Sequence, residues 1–190
     1  MQQNDEEIVY TSLLTRDDYD RIESLVVDLY IELNIKTFPI NPIEIAKQKG
    51  YRLIPYSKLD STESKCLREK ELSGLTLKNQ NGLPIIFYDD NEVWYRQHFT
   101  IMHEIGHIVL GHQQESRLAN QCANFFASYS LSPSPMVKVM DCEDFMDVSD
   151  RFGLSPDSAS LTFSRFEKWL KVPIYKEHEL KLLRHFGITI

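Results

Sequence analysis

The sequence predicts an α+β fold built on one buried helix, and three observations carry that reading. Phe99-Thr100-Ile101-Met102-His103-Glu104-Ile105-Gly106-His107-Ile108-Val109 places apolar residues at helical spacing in a dense stripe. Just ahead of it, Leu72–Leu77 and Pro84–Tyr88 flank an Asn79-Gln80-Asn81-Gly82 turn, a hairpin signature. The last third of the chain reads as helix, Gly-containing turn, helix, the outline of a helix-turn-helix. The expected architecture is a core of the motif helix, neighbouring helices and a short antiparallel sheet or hairpin over residues 1–134. A helical, helix-turn-helix-like segment over 135–190 packs on it, with Pro133 and Pro135 at the boundary.

Each element has a local reason. Asp17 or Asp18 suits the cap of a first helix, in which Ile22, Leu25, Val26, Leu29, Tyr30 and Leu33 recur at steps of three and four. Asn41-Pro42 starts a second helix, with Asn as cap and Pro at the first helical position, and Gly50 closes it. Tyr51-Arg52-Leu53-Ile54 reads as a strand; residues 60–70 are polar and read as a short helix or loop holding Cys66, a plain thiol. In the hairpin, Pro84 suits an edge strand or the first residue of a strand, and an edge beside the motif helix would accept an extended peptide. Asp89-Asp90-Asn91 caps the motif helix, predicted from about Glu92 to Leu110 with Gly111 as its stop. Further helices are predicted over 114–131, 143–152, 156–170 and 175–186, with His178 and His185 on the surface.

Composition bounds the function. At 190 residues the chain holds one domain, or one and a small appendage, and 42% hydrophobic residues suffice for a real core. No apolar run approaches the ~20 residues of a membrane span, and Met1–Glu7 shows no signal peptide. Three cysteines, an odd number with no C-x-x-C pair, point to free thiols in a reducing cytoplasm. A net charge of −7 argues against broad binding to nucleic acid or anionic membrane. Residues 141–171 carry seven acidic and four basic side chains, so the helix-turn-helix outline reads as a packing or protein-docking module rather than a DNA reader.

The chemistry is concentrated in His103-Glu104-Ile105-Gly106-His107. Residues four apart share a helix face, so His103 and His107 can grip one zinc ion together. Glu104 falls beside that ion, placed to take a proton from a water. A charged Glu between two histidines on a buried helix is costly unless something pairs with it. Gly106, unfavourable in a helix interior, predicts a neighbour packed against its missing side chain. A catalytic zinc site takes three protein ligands. His112 does not complete H-E-x-x-H-x-x-G-x-x-H, so the third is expected from the next helix, where Leu118, Cys122, Phe126 and Tyr129 share an inward face. Cys122 then looks toward the core, whereas Glu115 lies ~10 Å further along the axis. For the oxyanion partner, His112, Tyr129 and His98 are available.

Phe99-Thr100-x-x-His103-Glu104-x-Gly106-His107, followed by Ala123-Asn124-x-Phe126-Ala127 and a later Pro, resembles the ImmA/IrrE family of metallopeptidases over about residues 40–135. The C-terminal helices resemble the helix-turn-helix-like segment that follows the peptidase core there. The resemblance implies a small zincin-like fold and a zinc-dependent endopeptidase. It also implies a protein substrate, a helix-turn-helix transcriptional repressor whose cleavage derepresses mobile-element or stress genes. The family's metal-binding Glu stands just before Ala-Asn; here that place holds Cys122, and Asn120 stands where another acidic residue is common. Cys122 is then either a zinc ligand, completing a His-His-Cys set, or a buried core thiol. The second case gives a different class of protein, a repressor binder of the same fold that does not hydrolyse.

Overall fold

The computed structural model describes residues 13–70, 72–114, 116–172 and 174–189. Its elements follow in the order α1 Arg16–Glu32, α2 Pro42–Gln48, β1 Arg52–Pro55, a 3-10 turn at Tyr56–Lys58, α3 Ser61–Glu69, β2 Gly74–Lys78, β3 Pro84–Tyr88 and α4 Trp94–Val109. After these come α5 Arg117–Leu131, α6 Ser134–Val139, α7 Phe145–Phe152, α8 Pro156–Trp169 and α9 Glu177–His185. None of the helices is long and apolar enough to cross a membrane, among the described residues.

Caps and turns account for most boundaries. The cap of α1 is Thr15 rather than either aspartate. The backbone N–H of Asp18 donates to Thr15 Oγ1 at 3.2 Å, and Asp18 Oδ2 accepts from Thr15 N at 2.9 Å, a reciprocal capping box. Asn41 caps α2 with Pro42 at its first position, as predicted. The motif helix α4 starts from Val93, with no side-chain cap. The acidic run expected to cap it is engaged elsewhere. Arg68 of α3 holds Asp89 at 2.9 Å, and Asp90 accepts from the Ser57 N–H at 3.0 Å.

The sheet is mixed and runs β1-β3-β2. β2 and β3 form the predicted antiparallel hairpin, and β1 joins the other side of β3 in parallel, with Arg52 opposite Ile85. The expectation of an antiparallel sheet is thus corrected. Pro84 sits at the first residue of a central strand, where a missing N–H is tolerated. Ile86 at the middle of β3 is fully buried, the environment of a strand paired on both sides. The edge beside the motif helix is therefore β2.

One hydrophobic cluster runs through the whole chain: Ile22, Val26 and Tyr30 of α1, Ile101, Met102 and Ile105 of α4, Phe126 of α5, Phe152 of α7 and Leu182 and Leu183 of α9. Two histidines expected on the surface are packed. His178 is 8% exposed with Nε2 2.9 Å from Glu23 Oε2, and His185 Nε2 lies 2.8 Å from the Ile35 carbonyl. The reason is that α9 lies along α1, and burying Leu182 and Leu183 carries the neighbouring histidines inward. Arg165 of α8 is also interior, donating to Ser128 Oγ at 2.7 Å and to the Ser132 carbonyl at 2.8 Å, at the end of α5.

Candidate metal centre and cleft

Helix α4 delivers both imidazoles to one point. His103 Nε2 and His107 Nε2 lie 3.0 Å apart. Between them in sequence, Glu104 is 7% exposed and turned toward the sheet, where the Thr76 hydroxyl donates to its Oε2 at 2.7 Å. Gly74, one pleat earlier on the same face of β2, makes room for this approach. A Cβ there would stand 2.5 Å from Thr100 Cγ2 and 3.4 Å from Glu104 Cγ. Gly106 has the predicted close neighbour, because a Cβ at that position would meet Phe126 Cδ1 at 3.0 Å.

The electrostatics keep His103 uncharged. Burial, followed by the neighbouring His107, pushes the pKa of His103 down to about 4. Its ring is therefore neutral near pH 7, the form in which an imidazole ligates metal. Asn124 of α5 hydrogen-bonds the same ring. On the far side of His107, Nδ1 faces His112 Nδ1 at 3.0 Å.

His103 and Glu104 open into a cleft of about 800 Å³. Its floor holds Phe99, His103 and Glu104 of α4 with Asn124 and Ser128 of α5. One rim is the approach to β2, Leu72 to Gly74, and the opposite wall is Leu154 with Asp157 and Leu161 of α8. None of the three side chains available for the oxyanion role lines this cleft. His98 packs edge-on against Trp94, Tyr129 is buried, and His112 lies behind His107.

Cys122 is buried at 4% exposure, as its inward face predicts. Burial raises its thiol pKa, with Asp18 adding to the rise and Arg21 opposing it. The only three metal-donor side chains with all donor atoms within 4.8 Å of one another, among the described residues, are Glu23, His178 and Glu179. Cys122 thus does not stand within that distance of both imidazoles. Glu115, the other acidic possibility, lies outside the described residues.

A zinc ion fits the imidazole pair. Zn–N bonds of ~2.0–2.1 Å at a tetrahedral angle separate two nitrogens by about 3.3 Å. The observed 3.0 Å between the facing Nε2 atoms falls a few tenths short of that.

A small sheet laid against a helix that carries H-E-x-x-H, with the acidic residue of the motif turned to the edge strand, defines a zincin-like fold. The chain belongs to the family of the IrrE N-terminal-like domain, a peptidase family whose model matches residues 53–164, from β1 into α8. No curated protein matches the chain significantly.

Two residues of the site, Gly74 and Thr76, are not singled out by the sequence pattern. Gly74 and Thr76 alternate on one face of a predicted strand, which is a usable signal, but nothing local says that this face meets Glu104. His112, a sequence candidate for the oxyanion role, follows the helix-stop glycine Gly111, and lands beside His107 instead.

Proposed function

We propose that this protein is a zinc-dependent endopeptidase acting in the cytoplasm on a protein substrate, a helix-turn-helix transcriptional repressor. The observation that carries the reading is the pair of facing Nε2 atoms 3.0 Å apart with a buried Glu104 beside them, His103 and Glu104 lining an open cleft. His103 and His107 would hold the ion. When bound, zinc supplies Lewis acidity toward the scissile carbonyl and the attacking water.

The remaining work belongs to the chain. Glu104 takes the proton of the attacking water and returns it to the leaving amine. The Thr76 hydroxyl donates to Oε2 and so fixes the orientation of the carboxylate. The edge strand β2 offers unpaired backbone groups along the cleft rim, to which an extended peptide can pair. Cys122 is the third ligand expected from the sequence, yet the geometry supports the opposite side of α5. The short 110–116 connection returns α5 antiparallel to α4. Asn124 is at His103, so Asn120, one turn earlier, stands level with His107.

A second reading, a repressor binder that does not hydrolyse, is favoured by the neutral Asn120 in that place. Metal analysis of the pure protein separates the two. About one zinc per chain, together with a discrete fragment when the protein is mixed with a repressor encoded beside it, supports the enzyme. Tight binding of an intact repressor by metal-free protein supports the binder.

A further inference from the structure

Helix α4 ends in a way that returns the chain onto its own site. Gly111 adopts φ +72°, and two backbone bonds close the turn: Gly111 N–H to the Ile108 carbonyl at 3.1 Å and His112 N–H to the His107 carbonyl at 3.0 Å. These are the paired bonds of a Schellman stop, in which the second residue past the cap is tied to the third from the helix end. Here the tied residues are two histidines. The consequence is a side-chain contact, His112 Nδ1 to His107 Nδ1 at 3.0 Å. His107 is thereby gripped at one nitrogen while its other nitrogen faces His103.

We infer that His112 is a positioning residue for His107, accepting a hydrogen bond from Nδ1–H and so presenting the Nε2 lone pair to a divalent metal. The inference rests on His107 as a metal ligand. Its chemistry is that of an outer partner, since a ligating histidine needs an acceptor at the distal N–H to fix both tautomer and ring angle. Such a partner is usually a carboxylate or carbonyl; here the acceptor is a neutral imidazole, held in place by the helix stop. Nothing else in the turn requires a histidine. Gly111 has open space around it, and the backbone bonds are indifferent to the side chain at 112.

Two measurements on the full chain test this. The first is zinc affinity by competition with a chromophoric chelator, for the wild type, His112→Ala and His112→Asn. Loss of an outer partner weakens metal binding by about 10–100-fold, expected for His112→Ala. His112→Asn restores most of it, because an amide oxygen can accept the same bond. Unaltered affinity in His112→Ala, or no recovery in His112→Asn, overturns the inference. The second is the imidazole nitrogen spectrum of metal-free protein, which needs no zinc. His107 is expected as the Nδ1–H tautomer in the wild type and as a tautomeric mixture in His112→Ala. If His107 carries its proton on Nε2 in the wild type, or if its tautomer does not respond to the substitution, His112 does not position it. Should no variant bind zinc, the metal reading fails on the first measurement while the second still decides the role of His112.

Discussion

Glu104 owes its position to two residues of a different element. Thr76 donates to one carboxylate oxygen at 2.7 Å, and Gly74 leaves the gap that lets the strand approach. Glu104→Gln is expected to leave zinc content at the wild-type level and to lower peptide turnover by ~10²–10⁴-fold, the usual worth of a positioned base. Metal analysis beside a fragment assay on one preparation checks both halves. Gly106→Ala tests the packing. Helix propensity alone favours Ala by about 1 kcal/mol. The added methyl, however, meets the rigid Phe126 ring at 3.0 Å, an overpacking cost of ~1–3 kcal/mol. The net should be a small loss, and a melting temperature lowered by ~2–4 °C for a chain of this size would match. At this scale the histidines and Glu104 were legible because their relation is set within one helix. Thr76 and Gly74 were not, because sheet-to-helix contacts have no local sequence signal. His112 was legible in principle, since a glycine stop fixes where the following residue lands.

Helix α5 shows how a face can be assigned correctly and still mislead. Cys122 was expected inward, and it is buried. A helix has more than one inward direction, however: the Cys122 thiol feels Asp18 and Arg21 of α1, while Asn124 hydrogen-bonds the ring of His103. Residues 122 and 124 are separated by about 200° around the axis, so they cannot address the same ion. Asn124 lines the cleft, and Asn120 lies one turn earlier on the same side of α5. Cys122→Ser is expected to leave zinc affinity unchanged. Asn120→Glu is expected to raise it, by supplying a charged oxygen donor where the wild type has a neutral amide. A chelator titration of the two variants decides between the faces, and a fall in affinity for Cys122→Ser would return the third ligand to the thiol. The sheet has a similar lesson. The hairpin was readable from its Asn79–Gly82 turn, but the parallel partner of β3 lies across α3, and strand pattern does not name distant partners.

The C-terminal segment closes the molecule over the site. Its helix α8 forms a wall of the cleft while Arg165 binds the end of α5. What the sequence could not give was the polar joint between α9 and α1, because its members are 155 residues apart. That joint, Glu23 with His178 and Glu179, has donor atoms close enough for a metal, so it competes with the imidazole pair for any ion found. Its hydrogen bonding argues for a structural tie. Glu23 Oε2 already lies 2.9 Å from both Lys176 Nζ and His178 Nε2. Glu179 accepts from Trp169 Nε1 at 2.5 Å and from Lys176 N at 2.8 Å. A cation would have to displace ammonium and indole donors that compensate these carboxylates, whereas the two imidazoles on α4 turn their Nε2 atoms toward each other. Glu23→Gln should therefore lower stability by about 1–3 kcal/mol in denaturant unfolding, the cost of a charged hydrogen-bond network losing its acceptor, and leave zinc stoichiometry untouched. His103→Ala should do the reverse, removing the zinc with the fold intact. Zinc that survives His103→Ala and disappears with Glu23→Gln would place the metal at the joint, and the cleft would then lack the ion its proposed chemistry needs.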